Sequence, residues 1–167
     1  MKKQFKDLCF IATLIIVSTT TLKAQDDVKR TFGVGLQSSL PTYGLSVKYA
    51  FTESSVGQVT VAPFQAGDAK ISFYGARYIH RFINENPGSV IMDPYLFAGA
   101  GLITFNYSAY GGSNSSFFSY SAGGGLEFIV GRMFGISIEA GYGKLNVTNG
   151  AGVAGIFGGG GLHFYIN

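Results

Sequence analysis

The chain has 167 residues, of which 47% are hydrophobic and only 13% charged, with 25 glycines, 15 phenylalanines and 10 tyrosines. That length suits one domain with a real core. The composition excludes disorder, which needs high charge and few aromatics. It also weighs against a helical bundle, because glycine costs about 1 kcal/mol per helical position relative to alanine. The formal charge of +3 is local: Lys2, Lys3, Lys6 and Lys23 outweigh Asp7 within residues 1–24, and the rest is neutral. Nucleic-acid binding therefore has no electrostatic support.

Residues 1–24 read as a secretory signal peptide, with a basic start, an apolar run from Leu8 to Val17 and a polar stretch ending at Ala24. Cleavage is expected between Ala24 and Gln25, leaving a short lead-in over 25–31. The apolar run is too short to span a bilayer as a helix, which takes about 20 residues. The single cysteine, Cys9, lies in this leader, and Lys6-Asp7-Leu8 before it does not fit a lipoprotein signal. The chain beyond the leader offers no disulfide, thiolate metal site or cysteine nucleophile.

From residue 32 onward, apolar and small or polar residues alternate with period two, the pattern of strands with two unlike faces. Phe32–Leu40 sets Phe32, Val34, Leu36 and Leu40 against Gly33, Gly35 and Gln37. Tyr43–Phe51 sets Tyr43, Leu45, Val47, Tyr49 and Phe51 against Gly44, Ser46 and Lys48. Val56–Phe64 alternates weakly and leaves its faces open. Ile71–Phe82 changes phase near Gly75, as a bulge would produce. Pro94–Asn106 and Val153–Ile166 alternate large residues with many glycines. The clearest pair is Phe118, Tyr120, Ala122, Leu126, Phe128 and Val130 followed by Phe134, Ile136, Ile138, Ala140 and Tyr142. Both apolar sets stay on one face if the turn at Gly131-Arg132-Met133 has three residues.

Eight strands of this length suit tilted membrane strands, and their even number returns both termini to one side. The fold expected is an all-β, eight-stranded antiparallel up-and-down transmembrane barrel over residues 32–167. Its external loops would be 38–42, 65–70, 107–116 and 146–152, with the polar Tyr107–Ser116 as the most exposed tip. A connection of about ten residues, Ile83–Met92, holds the turn signal Asn86-Pro87-Gly88. Tyr43, Tyr49, Tyr74, Tyr78, Phe82, Tyr107, Tyr110, Tyr142 and Tyr165 would form interfacial girdles.

These segments resemble the small eight-stranded outer-membrane β-barrels of diderm bacteria, the outer membrane protein beta-barrel domain group. The resemblance rests on Lys23-Ala24-Gln25, the run Asp93-Pro94-Tyr95-Leu96-Phe97-Ala98-Gly99-Ala100-Gly101, and a glycine followed by alternating hydrophobics at the C-terminus. It implies that Gly161, Leu162, Phe164 and Ile166 form the signal read by the barrel-assembly machinery. Asn167 departs from the aromatic that usually ends such chains.

Five ionisable residues fall inside strands on the non-lipid face: Lys48, Arg77, Arg81, Glu127 and Glu139. A lysine or arginine facing lipid at the bilayer midplane costs about 2–4 kcal/mol, so these side chains should point inward and pair. The lipid-facing set would be Phe118, Tyr120, Leu126, Phe128, Ile136 and Ile138. Glu127 and Glu139 as a catalytic carboxylate pair lack a cleft or sugar-stacking aromatics. His80 and His163 have no companions at metal-ligand spacing. Gly141-x-Gly143-Lys144 lacks the Ser or Thr and the helix of a phosphate loop. The expectation is thus a non-enzymatic protein of the cell outer membrane, without cofactors. It would be structural or surface-interacting, with its interior plugged by side chains and outer-membrane lipid around it. No residue identifies the ligand of its loops. Rival readings are a small-solute, porin-like channel, a barrel binding a lipid acyl chain, a lipid-modifying barrel enzyme, and a soluble lipocalin-like barrel.

Overall fold

A computed structural model of the protein describes residues 31–66, 69–82, 90–107, 113–131, 133–146 and 152–166. The leader with its Ala24–Gln25 cleavage site, residues 25–30, Asn86-Pro87-Gly88, Tyr110 and Asn167 lie outside the described residues. Eight strands run in chain order: β1 (Phe32–Ser39), β2 (Thr42–Ala50), β3 (Ser55–Ala66), β4 (Ala69–Arg81), β5 (Val90–Tyr107), β6 (Ser113–Val130), β7 (Phe134–Asn146) and β8 (Gly152–Ile166). Each pairs antiparallel with the next, and β8 pairs with β1 to close the barrel. No described helix is long and apolar enough to cross a membrane, which says nothing of a barrel.

Closure works because the two faces of every strand stay in phase around the ring. Lys48 pairs with Gln58, Gln58 with Arg77, Arg77 with Gly99, Gly99 with Ser121, Ser121 with Gly143, and Gly135 with His163. All of these lie on the inner face. On the outer face, Leu45, Val59, Leu96, Leu102, Ile138 and Leu162 are exposed. Inside, Val56, Ile79, Tyr95 and Phe97 pack into one apolar cluster.

Several expectations change. The register of β4 against β3 and β5 runs unbroken through Gly75, so there is no bulge there. The phase change in the sequence arises because Ile71 and Phe73 carry apolar side chains at inner-face positions near the rim, whereas Tyr74, Ala76 and Tyr78 lie outward. β3 resolves into Val56, Gln58, Thr60 and Ala62 inward and Val59, Val61 and Pro63 outward. β5 starts at Val90, which shortens the connection from β4 to residues 82–89. β5 and β6 each run 18 residues and pair as far as Tyr107 with Ser113, so Tyr107 and Ser113–Ser116 of the loop placed at 107–116 are strand, and 108–112 lie outside the described residues. Tyr165 points inward, not into a girdle, and is only 1% exposed. Between β6 and β7, Val130 pairs with Phe134 across three residues, keeping both apolar sets outside.

β1 and β2 have only 8 and 9 residues, so one side of the wall is low where β5 and β6 stand tall. We call the end holding Phe32 and Ile166 the lower rim, and the opposite end the upper rim. At Gly44 the chain takes a left-handed conformation with φ of 99°, and a Cβ there would collide with Ala62 and Val61. Gly131 is also left-handed, with φ of 60°, but has open space around it. Asparagine tolerates this region whereas alanine does not. Gly44→Ala should therefore cost about 1–3 kcal/mol through crowding and strain. Gly131→Asn should stay within about 0.5 kcal/mol of the parent. Urea unfolding followed by gel mobility measures both, and equal costs would contradict this account of the Gly44 bend.

Candidate functional site

The chemically rich region is the barrel interior, because the alternation that places leucines and phenylalanines outside leaves polar residues no other face. Two linked clusters form there. In the lower one, Lys48 Nζ (β2) lies 2.8 Å from Glu127 Oε1 (β6). The Tyr165 hydroxyl (β8) donates to the same oxygen at 2.7 Å, and Lys48 Nζ donates to that hydroxyl at 3.2 Å. Arg81 (β4) stacks its guanidinium 5.6 Å from the Tyr165 ring centre.

In the second cluster Arg77 Nη1 (β4) donates to Glu139 Oε1 (β7) at 2.7 Å, with both side chains fully buried. The other carboxylate oxygen accepts from the Tyr95 hydroxyl at 2.7 Å. Gln58 joins this cluster to the β8 side. Its carbonyl accepts from Arg77 Nε at 2.5 Å, and its amide donates to Ser46 Oγ at 2.6 Å and to Gln37 Oε1 at 3.2 Å. Ser46 Oγ and His163 Nε2 are 2.9 Å apart. Arg77 also lies over the Phe97 ring, 4.8 Å from its centre. Such contacts matter because a buried ion pair repays its desolvation only when its remaining donors and acceptors are satisfied.

All five ionisable residues singled out in the sequence, Lys48, Arg77, Arg81, Glu127 and Glu139, are buried on the inner face. They do not form one site. Gly125, not Glu127, pairs with Glu139, so the two carboxylates are offset in register and each takes a different cation and a different tyrosine. A sixth charge, Asp93, is fully buried on the same face of β5. It escapes a sequence reading in which the strand starts at Pro94; the alternation Asp93, Tyr95, Phe97 against Met92, Leu96 and Ala98 is its signal. Among the described residues the interior thus holds three cations against three anions. His163 stands in this network, whereas His80 is exposed on the outer face against Phe82. No group of three or more His, Cys, Asp or Glu among the described residues could hold a metal ion.

Of the outward set, Phe118, Tyr120, Ile136 and Ile138 are exposed, while Leu126 and Phe128 share that face but are half covered by neighbours. Leu162, Phe164 and Ile166 also point outward, and Gly161 inward.

Nothing in the alternation pattern hints at what sits above the ion pairs. The turn Leu40–Pro41, expected in an external loop and with Leu40 on the apolar outer face, folds down into the barrel mouth. Pro41 is buried, and Thr42 is 0% exposed. Ser121 Oγ donates to the Leu40 carbonyl at 2.7 Å. Three inward glycines make room for the turn. A Cβ on Gly75 would lie 2.8 Å from the Pro41 carbonyl oxygen, one on Gly101 2.9 Å from Pro41 Cβ, and one on Gly143 2.7 Å from Leu40 Cδ2. Above it, Tyr43 packs on Phe73 and Phe73 on Phe64, with ring centres 5.4 and 6.0 Å apart.

Fold and site together define a closed up-and-down eight-stranded barrel with a charge-balanced interior and an apolar exterior. Among solved structures the chain is similar to the crystal structure of the N-terminal beta-barrel domain of Pseudomonas aeruginosa OprF. Sequence identity is 14% and the TM-score 0.57, over 81% of this chain and 95% of that one. No protein family matches the sequence, and no curated protein does.

The Lys48–Glu127 pair yields a double-mutant test. Lys48→Met strands a buried carboxylate and should cost about 3–5 kcal/mol, as breaking buried pairs does. Adding Glu127→Leu should recover a large part of that loss in urea unfolding. A double variant as unstable as the sum of the singles would show that the two do not act as a pair.

Proposed function

We propose that the protein is a non-enzymatic β-barrel of the bacterial outer membrane, with a structural or surface-interacting role and an interior closed to solutes. The observation that carries this reading is the inversion of its faces. Phenylalanine, leucine, isoleucine and valine are exposed all round the outer wall, while lysine, arginine, aspartate and glutamate are buried inside. A soluble lipocalin-like barrel would reverse that order, and an apolar surface of this extent in water is an aggregation hazard. In a bilayer it becomes the belt that holds the protein in place. Tyr74, Tyr78, Phe82 and Tyr142, all exposed, serve as its interfacial aromatics. The likeness to the OprF barrel domain agrees with this placement.

Closure of the interior rests on two stacked obstructions, the cross-barrel ion pairs and the inserted Leu40–Pro41 turn. Eight-stranded interiors are just wide enough for side chains to fill, which disfavours the porin-like alternative. Glu127 and Glu139 are each engaged by a cation and a tyrosine, which weighs against either as the general base of a lipid-modifying enzyme. Leu162, Phe164 and Ile166 form an outward apolar stripe on the last strand, suited to reading by barrel-assembly machinery.

Protein purified from membranes should migrate faster on a gel unboiled than boiled, and should give no steady conductance steps in planar bilayers. Recovery from the soluble periplasmic fraction without a mobility shift would sink the membrane reading. Regular conductance steps from a heat-modifiable protein would instead replace the closed interior with a channel. On refolding into lipid vesicles, Ile138→Arg should cost about 2–4 kcal/mol, the range for a midplane arginine facing lipid. An unchanged refolding midpoint would place Ile138 outside the belt.

A further inference from the structure

The low β1–β2 hairpin leaves a notch in the wall. β8 pairs with β1 only from Gly160 to Ile166, and β3 pairs with β2 only from Val56 to Val61. Above those points, β8 on one side and β3 on the other have no ladder partner across the notch among the described residues. A groove of about 710 Å³ takes up the lower part of this notch and the outer surface beneath it. Its floor is Gly158–Gly161, and its walls are Leu36, Ile136, Leu162, Tyr43, Phe64 and Phe73. The floor lies within the apolar belt, because Gly160 pairs with Ile138 and Gly158 with Ala140. The volume falls within the range of roughly 300–1,000 Å³ usual for small-molecule sites.

Two properties of this place select its occupant. The groove itself is mostly apolar and bare of side chains along its glycine floor. The upper part of the notch is polar, since unpaired strand edges present N–H and C=O groups that need partners at the border of a bilayer. Lys144, on β7 where it pairs with Ala154, extends over β8, the strand that borders the notch: a Cβ on Gly152 would lie 2.7 Å from its Cε. Lys70 stands exposed on the far side of the notch, on β4. Within residues 60–75 and 140–160 the sequence holds these two lysines and one acid, Asp68. An apolar tail below and a polar, anionic head above describe an amphiphile.

We propose that the groove binds one acyl chain of an anionic, phosphate-bearing membrane lipid, whose headgroup occupies the notch beside Lys144. This rests on the outer-membrane reading and adds a defined lipid site to it. Gly158 is the position that tests it, since a Cβ there meets only the Glu139 carbonyl oxygen, 3.9 Å away. A leucine at 158 fills the groove without pushing on the backbone. Gly155, with nothing within 4 Å of an added Cβ and no part in the lining, is its control on the same strand.

The full chain is reconstituted in phosphatidylethanolamine vesicles holding a trace of phosphatidylglycerol with a photoactivatable diazirine in its acyl chain. Adducts are mapped by mass spectrometry, and a parallel series uses the phosphatidylcholine analogue. We expect adducts on the Tyr43 and Gly158–Leu162 peptides to exceed those on the Phe118–Phe128 face at least threefold. Gly158→Leu should abolish the excess and Gly155→Leu preserve it. Lys144→Gln should lower the preference for phosphatidylglycerol over phosphatidylcholine. Gly158→Ala, a smaller change, covers the case in which the leucine variant does not give a heat-modifiable band. Even labelling around the belt, or an excess untouched by Gly158→Leu, would overturn the proposal. So would a dimer cross-linked through β8 with the groove unlabelled, which would make a second copy the occupant. Equal labelling by the two probes would overturn the anionic headgroup. Absence of label everywhere, with no heat-modifiable band, would instead refute the membrane placement itself.

Discussion

A side chain in a strand can point to only one of two faces, and in a closed ring that choice is shared by every strand. The pairings run without a slip from β1 round to β8, so the inner face of one strand fixes the inner face of the next. A one-residue shift anywhere would turn a buried lysine toward lipid and an isoleucine toward the ion pairs. The three-residue connection between Val130 and Phe134 is one place where this phase is kept.

Given that constraint, the contents of the interior are set by volume and charge. Arg77, Tyr95, Phe97 and Tyr165 are large, and glycines at paired positions give them room: Gly99 faces Arg77, and a Cβ on Gly125 would lie 2.6 Å from the Tyr95 ring. Charge balances by pairing across the barrel, not along a strand, so Lys48–Glu127 and Arg77–Glu139 tie distant strands together. Where bulky side chains give out, a piece of backbone takes their place: the Leu40–Pro41 turn fills the glycine-lined space above the ion pairs. The same inward bend lowers the wall outside. One hairpin thus both obstructs the interior and opens the notch.

Much of this is legible in the sequence because period-two alternation depends on local order alone. Phe134 to Tyr142 can be assigned to faces without knowing their neighbours, and so can Lys48, Glu127 and Glu139. The missing parts depend on information that alternation does not carry. Asp93 is hidden by a proline beside it, and Tyr165 by the habit of placing tyrosines at interfaces. The turn at Leu40–Pro41 reads like any short loop, because its burial depends on Gly75, Gly101 and Gly143 from three other strands. Pairings of interior side chains are beyond reach for the same reason: which cation meets which carboxylate depends on register across the whole ring.

The seam where β1 meets β8 joins Phe32 to Ile166, the two ends of the described barrel. Every other pair of neighbours is a hairpin that can form as soon as its two strands are made, whereas this one must wait for β8. Until then β1 and the last strand already formed are both open edges, and open edges recruit strands from other molecules. The long loop closed by this seam is the costliest step in assembling the barrel. A chain without β8 would lose the latch as well as a strand, leaving an unclosed sheet. The topology itself thus checks that all eight strands are present before the ring can shut.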